Sequence, residues 1–123
     1  MVEEKGGVCE GGSRLIFACS GAADVGEIAD GVARKLSAEG KGRMFCLAGV
    51  GGRVPPILGV VQAADDVLVI DGCGLDCAKR CLEEAGFSAF RHLRVTDLGC
   101  EKGSSPLTEE TVARIAAAAE EPL

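Results

Sequence analysis

The sequence predicts a single three-layer α/β domain built on a mainly parallel four-stranded sheet, flavodoxin-like or Rossmann-like, in the order 2-1-3-4. Three observations predict it. Short apolar runs alternate with helix-period segments four times along the chain. The best of these runs, Val67-Leu-Val-Ile70, is continuous and holds three β-branched residues, as a strand covered on both faces does. Glycines, 18 in all, gather where the strands should end. Right-handed crossovers then leave 2-1-3-4 as the commonest small solution.

Residues 1–13 are acidic, Gly-rich and aperiodic, which predicts a flexible tail containing Cys9, with the domain spanning 14–121. Arg14-Leu-Ile-Phe-Ala-Cys19 is the first strand. Asp24 and Glu27 have the spacing of a capping box, and Val25, Ile28, Ala29, Val32, Ala33 and Leu36 form one helical stripe ended by Gly40. Met44-Phe-Cys46-Leu-Ala-Gly49 is expected as the second strand. Pro55 and Pro56 suit the first turn of a helix carrying Ile57, Val60, Val61 and Ala64. The third strand is 66–71. Its helix, about 75–86, has Leu75, Ala78, Cys81, Leu82 and Ala85 on one stripe and stops at Gly86. Ala89–Val95 is more polar, as an edge strand is. Thr108 is the expected N-cap of a last helix marked by Val112, Ile115, Ala116 and Ala119.

Composition excludes several classes of partner. The chain has four Phe and no Trp or Tyr, so its core is aliphatic and stacking platforms for bases are scarce. A net charge of -6 repels phosphate backbones and anionic lipid. Neither nucleic acid nor a membrane is expected as a partner. With no basic, then apolar, N-terminal segment, the expected location is the cytoplasm.

Seven cysteines in a reducing compartment point to metal binding or redox chemistry rather than to disulfides. Cys19, Cys46, Cys73 and Cys100 follow one another at intervals of 27 residues, each at or just after a predicted strand end, along the edge where such sheets bind ligands. Cys77 lies one helical turn beyond Cys73 and can face back over the junction. Cys19, Cys46, Cys73 and Cys77 are therefore the expected thiolate ligands of one metal ion, and four soft thiolates select zinc, copper(I) or an iron–sulfur cluster. Cys81, on the apolar stripe, is expected to pack in the core. Cys100 is the candidate auxiliary ligand or resolving thiol. Asp71, before Gly72 and Cys73, is expected to orient a ligand or to bond backbone N–H groups. Asp24 and Asp76 read as helix caps, and His92 as a surface or satisfied core residue. The loop after Cys19 lacks the arginine of a phosphatase loop, since Val25 stands there, and no G-x-G-x-x-G or G-K-[ST] occurs.

Three blocks carry a family resemblance: Cys19-Ser-Gly-Ala-Ala-Asp-Val-Gly26, Met44-Phe-Cys46-Leu-Ala-Gly49 and Ile70-Asp-Gly-Cys73-Gly-Leu-Asp-Cys77-Ala-Lys79. Together they resemble the DGC-domain family, named for the Asp71-Gly72-Cys73 triplet, over roughly residues 14–95. The resemblance implies that Cys19, Cys46, Cys73 and Cys77 bind zinc, with Cys9, Cys81 and Cys100 outside the pattern. It brings no reaction. Two zinc ions would leave each two thiolates short, so one four-thiolate site is expected. The competing expectation is a thiol redox or sulfur-transfer enzyme. There Cys73, at a helix N-terminus whose free N–H groups favour thiolate, is the nucleophile, and Cys77 or Cys19 resolves it. A third is an interaction domain with buried cysteines.

Overall fold

In the computed structural model, which describes residues 13–120, the two most apolar segments pair at the middle of the sheet. Strands β1 (Arg14–Ala18) and β3 (Asp66–Asp71) run parallel, with Leu15 beside Val67 and Phe17 beside Val69. β2 (Arg43–Met44) pairs with the far edge of β1, and β4 (Arg91–Arg94) with that of β3. All pairs are parallel and the order is β2-β1-β3-β4, as the sequence predicts.

Side chains of a strand alternate between faces, so each central strand feeds two cores. Ile16, Ala18, Leu68 and Ile70 face the layer of α1 (Asp24–Ala38) and α5 (Glu109–Ala119). Leu15, Phe17, Val67 and Val69 face the layer of α2 (Leu47–Gly51), α3 (Pro55–Ala63) and α4 (Cys77–Glu84). Apart from Phe17, the largest fully buried side chains are Leu, Ile and Val, each contributing roughly 1.5–3 kcal/mol by burial. The expected stripe of α1 is buried throughout, and Thr108 caps α5 by accepting from Thr111 N at 3.1 Å.

Four local expectations need correction. The second strand stops at Met44. After Phe45 N donates to Ile16 O at 2.9 Å, the chain turns into α2, so Cys46 stands at that helix's N-cap rather than inside a strand. Asp24 is not the N-cap of α1, a place held by Ala23. Its carboxylate instead accepts from Gly103 N at 2.9 Å and Ser105 N at 2.9 Å, fastening a distant loop. Helix α4 begins at Cys77, two residues later than expected, which leaves Leu75 outside the core at 62% exposure. Of the apolar positions expected in α3, only Val61 is fully buried. Ser13 closes the described chain at its amino end by donating to Asp65 Oδ2 at 2.9 Å. The remainder of the expected tail, with Cys9, lies outside the described residues.

Candidate metal centre

The carboxyl ends of β1 and β3 form the floor of the site, because the chain reverses its winding between these two neighbours. Cys19 continues the ladder past β1, its N–H donating to Ile70 O at 3.1 Å, and its Sγ accepts from Gly72 N at 3.4 Å. A backbone donor aimed at sulfur is the kind of outer contact that orients a thiolate ligand. Gly72 is required here: a Cβ would lie 2.7 Å from the carbonyl carbon of Val25. This close approach sets the loop holding Cys73 against the first turn of α1.

Cys73 lies half-buried in that loop and packs against the core on the α1 side. Cys77 is the first residue of α4 and Cys81 lies one turn further on. Cys46 is exposed at the start of α2. Cys19, Cys46 and Cys81 share the wall of a cleft of about 450 Å³ with Asp30 and Arg34 of α1. All six described cysteines are free. No three of their sulfurs lie within 4.8 Å of one another among the described residues. Cys100 falls away from this group: it is buried in the α1–α5 core, with its sulfur 3.8 Å from Arg114 Nη2.

Beneath the thiols lies a polar cluster that the sequence only half revealed. Asp71, 1% exposed, takes the place expected of Asp76 and caps α4. Its Oδ1 accepts from Ala78 N at 2.8 Å and its Oδ2 from Lys79 N at 3.1 Å. Oδ2 also meets His92 Nε2 at 2.8 Å, and a carboxylate selects the tautomer that carries its proton there. Asp76, in the left-handed region at φ 55°, turns away from the helix and takes a fork from Arg94, with Nε and Nη2 each at 2.7 Å. That hydrogen-bonded pairing holds the Asp76 carboxyl below its usual range.

Asp71, Asp76 and His92 bring donor atoms within 4.8 Å of one another, the spacing of a metal group. Their lone pairs are already engaged by two backbone N–H groups, the imidazole and a guanidinium. The cluster is thus a hydrogen-bonded network that ties the end of β3, the start of α4 and β4 together. His92 and Arg94 were missed because each looks isolated in sequence. The parallel register with β3, which sets His92 beside Val69 and Arg94 beside Asp71, is the signal that joins them.

The network also corrects the electrostatic expectation for the helix start. The N–H groups that should favour a thiolate are spent on Asp71, and a buried carboxylate stands where a positive dipole end was expected. Partial desolvation pushes the Cys77 thiol up, and Asp71 and the thiols of Cys19, Cys73 and Cys81 add to the shift. Surroundings that resist a second negative charge are those that favour a cation.

Comparison with known proteins agrees with the three sequence blocks. The family model described as DGC domain matches residues 15–119. The Anaerobic and virulence modulator AnvM of Pseudomonas aeruginosa is 35% identical over 88 residues, covering 72% of this chain and 67% of that protein. No solved structure matches. Among the described residues, no helix is long and apolar enough to cross a membrane. With the family model spanning nearly the whole α/β domain, this chain belongs to the DGC domain family.

Proposed function

We propose that this chain holds one zinc ion through Cys19, Cys46, Cys73 and Cys77 at the carboxyl edge of its sheet. The observation that carries the reading is placement: four free thiols follow the carboxyl ends of β1 and β3 and stand at the adjoining helix starts, and Cys77, though exposed, lies near the buried Asp71 carboxylate, a setting that penalises an uncompensated thiolate. A divalent cation removes that penalty, and thiolates are its preferred soft donors. Cys19 and Cys77 come from the ends of β1 and the start of α4. Cys46, at the start of α2, and Cys73, in the loop after β3, complete the set, and binding requires their side chains to turn toward the other two. The Gly72 N–H is then an outer contact to the Cys19 sulfur, and Asp71 fixes the start of α4 that carries Cys77.

Zinc bound by four thiolates has no open position for substrate, so its chemistry is that of a structural, sensing or carrying site rather than of a Lewis acid. That suits a protein whose relative is named a modulator. The redox reading fares worse, because the helix start that was to activate its thiols carries a carboxylate instead.

The test is to purify the protein without added metal, determine bound metal by mass spectrometry, and count reactive thiols before and after chelation. The expected result is close to one zinc per chain and about four thiols released on chelation. Metal-free protein with a reducible disulfide would favour the redox reading instead, and metal-free protein with unchanged thiols would leave neither.

A further inference from the structure

We propose that α3 is the self-association face of this chain, pairing antiparallel with α3 of a second copy about a two-fold axis that passes beside Gly59. The inference stands apart from the zinc reading above. It starts from a mismatch: α3 is made of Pro, Ile, Leu, Gly, Val, Gln and Ala, as a helix buried on several sides is, yet only Val61 is fully buried. From Val54 to Ala64 there is no charged residue. Pro56, Gly59, Val60 and Ala63, spaced as neighbours on one helical face, are all exposed, and Val54, 42% exposed, adds to them at the amino end. A contiguous uncharged apolar face on an acidic chain is a place for another protein surface.

Charge makes the same face of a second copy the fitting occupant. Residues 40–64 carry Lys41, Arg43 and Arg53 and no carboxylate, while all 19 carboxylates of the chain lie elsewhere. Two copies of net charge -6 repel one another, and contact along this helix sets no carboxylate against another. A two-fold pair uses one patch twice, so the patch must be complementary to itself. The flanks of α3 supply that: Arg53 stands two residues before the helix and Asp65 two residues after it, and both are exposed. In an antiparallel pair centred on Gly59, Arg53 of each copy comes opposite Asp65 of the other, and the helix dipoles oppose favourably. Arg53 Nη1 donates to Val50 O at 3.0 Å and Gly51 O at 3.1 Å, a hold that leaves Nη2 for the carboxylate of the second copy. At Gly59 a Cβ would meet nothing within 4 Å, so the axis is open to a neighbour.

Size sets the strength of the pair. A nine-residue helix is only about 14 Å long, and alone it covers less than the roughly 800 Å² per partner of a standard interface. The face extends beyond it. A groove of about 410 Å³ opens along the flank of α3 at Gln62, walled by Val61, Val67, Phe87 and Phe90, and gives the second copy further apolar surface to cover. The pair is therefore concentration-dependent, with a dissociation constant in the micromolar range or above.

Sedimentation equilibrium of the full chain, from about 1 μM to about 1 mM, tests this. Expected is a mass that rises with concentration from that of one chain toward that of two and levels there. Val60→Asp, which sets two carboxylates against one another near the axis, is expected to weaken pairing about tenfold or more. Leu107→Asp, at a 43% exposed apolar residue outside the face, is expected to leave it unchanged. Arg53→Asp and Asp65→Arg should each weaken pairing and their combination should restore it, the result that fixes the antiparallel register. Urea unfolding of each variant at low concentration checks that the single chain keeps its fold. A single-chain mass at every concentration overturns the inference and leaves the face to a different protein. Pairing that survives Val60→Asp in a folded variant overturns it too, as does a double exchange no better than its single substitutions. The wild-type arm needs no substitution, and it is read with and without chelator, so the outcome for bound metal and the outcome for pairing are separate.

Discussion

Asp71 is the residue on which the chemistry of the site turns. Its carboxylate caps α4 through Ala78 and Lys79, fixes His92, and adds to the shift that keeps Cys77 protonated. In metal-free protein the Cys77 thiol should therefore titrate above its ordinary value of 9.0. The sign for stability follows. A group whose pKa is raised by folding holds its proton longer in the native state, so its contribution is intact below that ordinary value and is lost as the pH rises through the folded one. Asp71→Asn removes the charge and leaves at least one backbone donor poorly served. It should shift the midpoint of Cys77 alkylation to lower pH in chelated protein and cost about 1–3 kcal/mol in urea unfolding. An unchanged alkylation profile would show that the carboxylate does not act on the thiol.

At the scale of elements, glycines set how closely the pieces carrying the cysteines approach. A Cβ on Gly72 would meet backbone atoms of Val25 and Gly26 at 2.7–2.8 Å, and one on Gly26 would meet the Gly21 carbonyl oxygen at 2.7 Å. The loop after β1, the first turn of α1 and the loop after β3 are thus locked together by backbone contacts that no rotamer can relieve. Gly72→Ala should cost about 1–3 kcal/mol, as overpacking does. Gly74→Ala, where a Cβ meets nothing within 4 Å, should stay within about 0.5 kcal/mol. Chemical unfolding of the two variants side by side checks the difference, and equal stabilities would refute the close-approach account.

For the molecule as a whole, two carboxylates fasten segments far apart in the chain. Asp24 is held low by the Gly103 and Ser105 N–H groups, and Asp76 by the Arg94 fork. Folding depresses both pKa values, so the native state binds fewer protons than the unfolded chain. Their stabilisation is present above the ordinary aspartate value of 3.8 and is lost as the pH falls through the folded values. Thermal unfolding of metal-free protein should show a midpoint that drops steeply below that pH. Asp24→Asn should flatten the drop, and should also speed hydrogen exchange at Gly103 and Ser105. An acid profile identical to wild type would remove Asp24 from the account.

What the sequence determined by itself is everything that local period and strand-end placement encode. The apolar runs, the stripe of α1, the Thr108 cap and the 2-1-3-4 order could all be read because each depends on neighbours in the chain or on a rule of handedness. Tertiary structure alone decided which carboxylate caps α4. Asp76 stands where a cap belongs by spacing, but Arg94 on the next strand draws it off and Asp71, from the strand before, reaches over. It also decided that His92 joins the site, that Cys100 is buried beneath α5, and that Cys81 is only half-buried, on the wall of the cleft. Each of these outcomes depends on a partner brought close only by sheet register or layer packing, and a linear pattern carries no record of distances across strands.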